Sequence, residues 1–172
     1  MDKLNGWLGL LANLGVIAGL VILVLEVQQS NRIALGSAES DWSLQASEVN
    51  RSVVDNETTG TLAGKLSSRE TDLTVTEAAQ AKFFVRQFNN LWSSAESLHS
   101  RGLMSDSYYE GALVDVAVTM DELPGLVPYF ASIGRAYGVS YDGSRLFNAY
   151  CSAYVKHGFT AEAAEGGCPG VK

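Results

Sequence analysis

The chain has 172 residues, of which 47% are apolar and 18% charged, with a net charge of −7 and two cysteines. This length allows one domain and an appended segment. Twelve basic residues dispersed among nineteen acidic ones do not provide the clustered Lys and Arg of a nucleic-acid-binding surface, so nucleic acid is excluded as a partner. Two cysteines form neither a disulfide framework nor a metal-ligand spacing.

The N-terminal segment carries almost no charge. From Gly6 to Leu25 no side chain is ionisable, and Leu, Ile and Val dominate. A helix rises about 1.5 Å per residue, so this stretch extends about 30 Å, the hydrocarbon thickness of a bilayer. Trp7 lies at one end, where its amphipathic ring suits the headgroup level. We therefore predict one transmembrane helix over residues 7–27, within a segment 1–30, with Trp7 as its membrane-interface anchor and the lipid bilayer as its surroundings.

Two other interpretations fit this segment less well. A secretory signal peptide has a shorter apolar core and a small-residue cleavage site soon after it, whereas Ala34-Leu-Gly-Ser-Ala38 lies well beyond the apolar run. A core helix of a soluble domain usually has a polar stripe, and this segment is apolar all round. The side of the membrane stays open, because Lys3 precedes the segment and Arg32 follows it.

Small residues within the apolar segment suggest a helix–helix contact. Gly15 and Gly19 form a small-xxx-small pair, and Ala12 extends it by one turn. In lipid, small residues let two helix backbones approach closely, and a polar side chain such as Asn13 gains from a hydrogen bond to a neighbour. We predict a membrane-helix interface formed by Ala12, Asn13, Gly15 and Gly19.

A helical pattern continues past the apolar segment. Apolar residues at spacings of three and four predict an amphipathic stalk that ends near Asp55; they are Leu35, Ala38, Trp42, Ala46, Val49 and Val53. A break over residues 56–60 and a short helical piece over 62–66 are expected to follow.

The later helices are predicted from their ends and apolar stripes. Thr74 and Glu77 form a capping-box pattern that opens a helix over 75–101, which Gly102 ends. Ser105 is predicted to cap a helix over 103–120, followed by a turn at Leu123-Pro-Gly125 and helices over 126–137 and 144–157. Strand signals are almost absent. We expect an all-α fold in which the transmembrane helix continues into a stalk and extramembrane bundle of four to five helices over 31–157, with a flexible tail over 158–172.

The sequence contains no motif that indicates catalysis, a metal or a cofactor. His99 and His157 stand apart from other ligand-type residues, and no C-x-x-C, H-E-x-x-H or G-x-S-x-G pattern occurs. We expect His99 to interact with the terminal carbonyls of its helix. The carboxylates of Glu96, Asp106, Asp115, Asp121 and Glu122 are expected on a solvated face. Cys151 is expected in the core, and its pairing with Cys168 stays open. Most aromatic residues of the second half are expected in the core, with some left for a partner.

Several short motifs follow one another in a set order. They are Ala12-Asn13-Leu14-Gly15, Gly19-Leu20, Glu26–Asn31, Phe88–Gly111 and Leu123-Pro-Gly125. Together they resemble a broad group of uncharacterised bacterial single-pass membrane proteins, which open with an A-N-x-G-x-x-x-G-L membrane helix and an E-x-R-Q-N-like exit. Gln28 stands where that group usually has arginine. The resemblance implies a bacterial membrane protein with a helical domain, and it implies no activity.

Three hypotheses about function follow from these features. The leading one is a non-enzymatic accessory or assembly subunit of a larger bacterial membrane complex, whose transmembrane helix binds other membrane subunits. The second is a homo-oligomer that self-associates through the same helix, as a channel or signalling scaffold. The third is a membrane-tethered ligand binder or enzyme that uses the aromatic bundle. We expect no cofactor for the leading hypothesis.

Overall fold

The computed structural model describes residues 2–54, 57–68, 72–130 and 145–158, and within these ranges the fold is all-α. The elements are α1 (Asp2–Val54), α2 (Glu57–Ser67), α3 (Val75–Ser100), α4 (Asp106–Glu122), a 3-10 turn (Pro124–Leu126) and α5 (Arg145–Lys156). Residues 127–130 are also helical. The long α1 carries the apolar segment at its beginning and joins the bundle through its second half.

The helix directions follow from contacts between residues far apart in sequence. On α1, Trp42 contacts Leu91 of α3, while Ser52, further along α1, lies beside Gln87, earlier in α3. These two helices are therefore antiparallel. Since α3 and α1 run in opposite directions, the connection between α3 and α4 lies at the end of the bundle nearest the apolar segment.

Stacked aromatic rings form the centre of the bundle. The fully buried Trp92 ring stacks on Phe88 and Phe130, at centroid distances of 5.2 and 5.5 Å, and meets Tyr150 edge-on at 5.6 Å. Its indole N–H donates to Asp115 Oδ2 at 2.8 Å. Burial of aromatic area and a satisfied polar atom both stabilise this packing. The expectation of an aromatic core is confirmed for these residues.

The ends of α3 follow their local sequence. At its start, the Thr74 hydroxyl accepts the Glu77 backbone N–H and the Glu77 carboxylate accepts the Thr74 N–H, which confirms the capping box. At its end, Gly102 has φ +71°, and its N–H donates to His99 O while the Leu103 N–H donates to Leu98 O. This bonding pattern requires the left-handed backbone that glycine adopts at little cost.

Several predicted boundaries differ from the structure. The break expected over residues 56–60 is wrong for 57–60, because α2 already begins at Glu57; Asn56 lies outside the described residues. The helix expected from residue 103 begins at Asp106, because the Gly102 turn carries the chain away from α3 first. The expected helix over 126–137 is described only as far as residue 130, and the expected tail lies outside the described residues after Gly158.

Candidate membrane-interaction site

The first half of α1 presents apolar side chains on every side. Between Trp7 and Val27, its exposed large apolar side chains have relative exposures of 53% to 68%. A soluble protein rarely leaves so large a continuous apolar surface uncovered. Length and composition make this helix capable of crossing a membrane, although a signal sequence near an N-terminus has the same features.

One side of this helix leaves room for close approach of another backbone. Nothing lies within 4 Å of the position that a Cβ atom would occupy at Gly15 or at Gly19, and Ala12 is also exposed. At 3.6 residues per turn, Ala12 and Gly15 lie within roughly 40° of Gly19 around the helix axis. The three small residues therefore share one open side of α1.

Helix geometry separates Asn13 from that side. Asn13 is rotated by roughly 120° from Gly19 and by only roughly 20° from Trp42, which faces the bundle. A partner packed on Gly15 and Gly19 would thus not meet the Asn13 amide directly. The sequence predicted Asn13 in one interface with Ala12, Gly15 and Gly19, whereas helix geometry places Asn13 on a different side of α1.

The second half of α1 is integrated into the bundle through side-chain contacts. Trp42 is buried, its indole N–H donates to Leu91 O at 3.0 Å, and its ring meets Tyr108 edge-on at 6.1 Å. Val53 is buried as well, and Ala46 and Val49 pack against the core. This confirms the predicted apolar stripe of the stalk at Trp42, Ala46, Val49 and Val53. The apolar segment and the stalk belong to one uninterrupted helix.

A polar cluster lies at the bundle end nearest the apolar segment. The Tyr109 hydroxyl donates to the Glu96 carboxylate, and the His99 ring stacks on the Tyr109 ring at 4.2 Å. Burial, together with the Glu96 carboxylate, raises the pKa of Tyr109 well above its usual value. His99 Nε2 lies 2.9 Å from Asp106 Oδ1. The phenol is thereby held protonated as a hydrogen-bond donor between α3 and α4.

These contacts revise two expectations about polar residues. The sequence predicts that His99 interacts with helix-terminal carbonyls, but its ring nitrogen contacts the Asp106 carboxylate instead. The sequence also predicts the carboxylates on a solvated face, yet Glu96 and Asp115 accept hydrogen bonds from Tyr109 and Trp92. Both acceptors are on the sides of α3 and α4 that face each other, which the sequence alone did not establish.

Ion pairs connect α4 with α5. Arg145 pairs with Glu110 and lies 5.6 Å from the centroid of the Tyr109 ring. At the other end of α5, the Lys156 ammonium binds the Asp121 carboxylate and lowers the pKa of Asp121. Since both pairs are exposed to solvent, they fix the direction of α5 along α4 more than they add stability.

Among the described residues, no group of three or more His, Cys, Asp or Glu side chains is placed to hold a metal ion. Cys151 is buried, as expected, and is disulfide-bonded. Cys168 lies outside the described residues.

Two exposed apolar residues of the stalk do not belong to the interface predicted from the sequence. Ile33 and Leu44 are 64% and 63% exposed, although they lie beyond the apolar segment. They do not belong to the stripe that packs on the bundle. Ile33 and Leu44 are separated from Gly15 and Gly19 by nearly whole numbers of helical turns, and this spacing was the signal in the sequence that would have identified them.

Comparison with known proteins identifies no relative of this chain. No protein-family model, curated protein or solved structure matches the chain.

Proposed function

We propose that this chain is a non-enzymatic, single-pass bacterial membrane protein that acts as an accessory or assembly subunit of a larger membrane complex. The single observation that carries the proposal is the continuity of α1. One helix contains an apolar segment exposed on all sides, an open Ala12/Gly15/Gly19 side and a stalk buried in the bundle.

The stalk contacts favour a retained membrane helix over a cleaved signal sequence. Trp42 donates a hydrogen bond to Leu91 of α3, and Glu39 accepts one from Ser105 at the start of α4. Both residues belong to the same unbroken helix that carries the apolar segment. A signal peptide is removed near the end of its apolar core, and no break in the helix separates that core from the stalk. The bundle is therefore held at a fixed distance from the membrane.

The polar groups of the bundle support a structural role. Four polar side chains contact one another between α3 and α4; they are Tyr109, Glu96, His99 and Asp106. Such contacts position helices, whereas a general base or a nucleophile must be directed at a substrate. Among the described residues, the first half of α1 is the continuous exposed apolar surface that we assign to the partner.

Membrane association is tested by fractionation of cells that express the full chain. We expect the protein to stay in the membrane pellet after an alkaline carbonate wash and to enter solution only with detergent. Recovery of the intact chain in the aqueous fraction would overturn the proposal.

Subunit association is tested by native electrophoresis in mild detergent. Gly15→Leu with Gly19→Leu fills the open side of α1 and is expected to release the chain from its complex, with membrane insertion unchanged. Ala18→Leu adds a similar side chain on another side of the helix and serves as the control. Equal complex mass for both variants would contradict docking through Gly15 and Gly19.

A further inference from the structure

The open side of α1 continues beyond the membrane segment. Relative to Gly19, helix geometry places Gly15, Ile33 and Leu44 all within roughly 40° around the axis. Trp42 is rotated from Gly19 by roughly 140°, so these four residues lie on the side of α1 turned away from the bundle. We call the line of Gly15, Gly19, Ile33 and Leu44 the open stripe.

Lipid reaches only the beginning of the open stripe. Leu44 follows Val27 by seventeen residues, which corresponds to about 25 Å of helix. The headgroup layer on one side of a bilayer is only about 5–8 Å thick. Leu44 therefore stands in water if the apolar segment spans the membrane, so lipid does not cover its side chain, which is 63% exposed.

From the end of the apolar segment onward, the side of α1 that carries the open stripe is acidic. Glu26, Asp41 and Glu48 are exposed and lie within roughly 40° of Gly19 around the axis, against one basic residue, Arg51. Carboxylates thus precede Ile33 along the helix and stand on both sides of Leu44. An occupant of the stripe meets apolar contacts at Ile33 and Leu44 and negative charge around them.

We infer that the open stripe binds one helix of a different membrane protein, which runs beside α1 out of the bilayer and carries Lys and Arg in its aqueous part. This inference rests on the proposed function and names the chemistry of its partner. Contact from Gly15 to Leu44 covers about 44 Å of α1, so the partner helix continues for about 30 residues without a break.

Charge disfavours a second copy of this chain as the occupant. Two copies in one membrane have the same orientation, so their α1 helices pack in parallel and place Glu26, Asp41 and Glu48 opposite the same residues. Like charges along a helix pair weaken it, and opposite charges select a different partner. A basic helix neutralises the carboxylates and covers Ile33 and Leu44 together.

Photo-crosslinking in native membranes tests the inference. A benzophenone amino acid is introduced into the full chain at Ile33 or Leu44, with Ser43 and Arg32, which are exposed on another side of α1, as control positions. We expect adducts from positions 33 and 44 at least about tenfold above those from 43 and 32, because only the stripe contacts the partner. Mass spectrometry of the adduct is expected to identify a peptide of net positive charge next to a membrane span.

Charge variants test the electrostatic part. Asp41→Lys with Glu48→Lys is expected to lower the adduct yield from Leu44 by about tenfold, whereas Ser43→Lys with Asn50→Lys, on another side of α1, leaves it unchanged. An adduct of twice the mass of the chain, an acidic partner peptide, equal yields at all four positions or no adduct at 33 and 44 would each overturn the inference. In these cases retention in carbonate-washed membranes still upholds the membrane location, so the two proposals fail separately.

Discussion

The carboxylate of Glu39 on α1 caps the start of α4 at Ser105. Glu39 Oε1 accepts the Ser105 backbone N–H at 2.8 Å and the Ser105 hydroxyl at 2.6 Å. Ser105 occupies the N-cap position, but its own hydroxyl does not cap the helix. A residue 66 positions earlier in the chain thus stabilises this helix terminus and ties the stalk to the bundle end nearest the apolar segment.

Glu39→Ala removes this interhelical cap. Because a charged acceptor is lost from a helix N-terminus, we expect the free energy of unfolding to fall by about 1–2 kcal/mol. Urea denaturation of the full chain in detergent, followed by circular dichroism, measures the change. Asp41→Ala removes an exposed carboxylate from another side of α1 and is expected to leave the stability unchanged; an equal loss in both variants would contradict the capping role.

Trp42→Phe separates the hydrogen bond of the stalk from its packing. The phenyl ring keeps much of the contact with Tyr108, while the indole N–H to Leu91 O is lost. We expect a loss of about 1–2 kcal/mol for Trp42→Phe and about 3–5 kcal/mol for Trp42→Ala, which also leaves a cavity. The same denaturation experiment gives both values, and equal losses would show that the ring contributes nothing beyond its N–H.

Gly125 is required by the close packing of the 3-10 turn on α2. A Cβ atom at Gly125 would lie 2.8 Å from Leu66 O and 2.9 Å from Leu66 Cα, and these backbone atoms cannot rotate away. Gly125→Ala is expected to cost about 1–3 kcal/mol. Gly111→Ala is the matched control, because Gly111 lies within α4 with nothing near its Cβ position. That substitution is expected to stabilise the helix by about 0.5–1 kcal/mol, so a loss at Gly111 as large as that at Gly125 would contradict the steric explanation.

Stability is expected to depend on the ionisation of Glu77 in acid. The Lys65 ammonium, 2.8 Å from the Glu77 carboxylate, and the Thr74 N–H and hydroxyl lower the pKa of Glu77 from 4.5 to about 2. A group with a lower pKa in the folded state binds its proton more readily after unfolding. Its contribution is therefore complete above about pH 4.5 and disappears as the pH falls to about 2.

Thermal unfolding of the wild type and Glu77→Gln across this pH range checks the prediction. The variant is expected to have the lower Tm at neutral pH, with the difference narrowing below about pH 4.5. Lys65→Met is expected to lose much of the pH-dependent stability that Glu77→Gln loses, because it deletes the strongest cause of the lowered pKa of Glu77. A difference between wild type and Glu77→Gln that stays constant down to about pH 2 would show that the carboxylate charge does not act in this way.

Local sequence patterns predicted those parts of the fold that depend on neighbours along the chain. The span over 7–27 and the stalk after it correspond to α1, and Thr74, Glu77 and Gly102 form the predicted helix ends. The predicted helix boundaries were wrong where contacts with another element of the fold determine where a helix begins. Residues 57–60 carry threonines and a glycine that suggest a break, but α2 forms there because Leu62 and Leu66 are fully buried against the bundle.

The amino-acid sequence by itself determined that the chain is helical, that its first helix is apolar all round, and that small residues recur on it at a helical spacing. These properties depend on side-chain chemistry and on contacts within a few turns. Only the tertiary structure decided which helices pack on the predicted stripe of α1, and that Ile33 and Leu44 stay exposed on the side that Gly15 and Gly19 share. A local pattern does not identify partners that are distant in the chain, such as Leu91 for Trp42 and Ser105 for Glu39, which lie 49 and 66 residues further on.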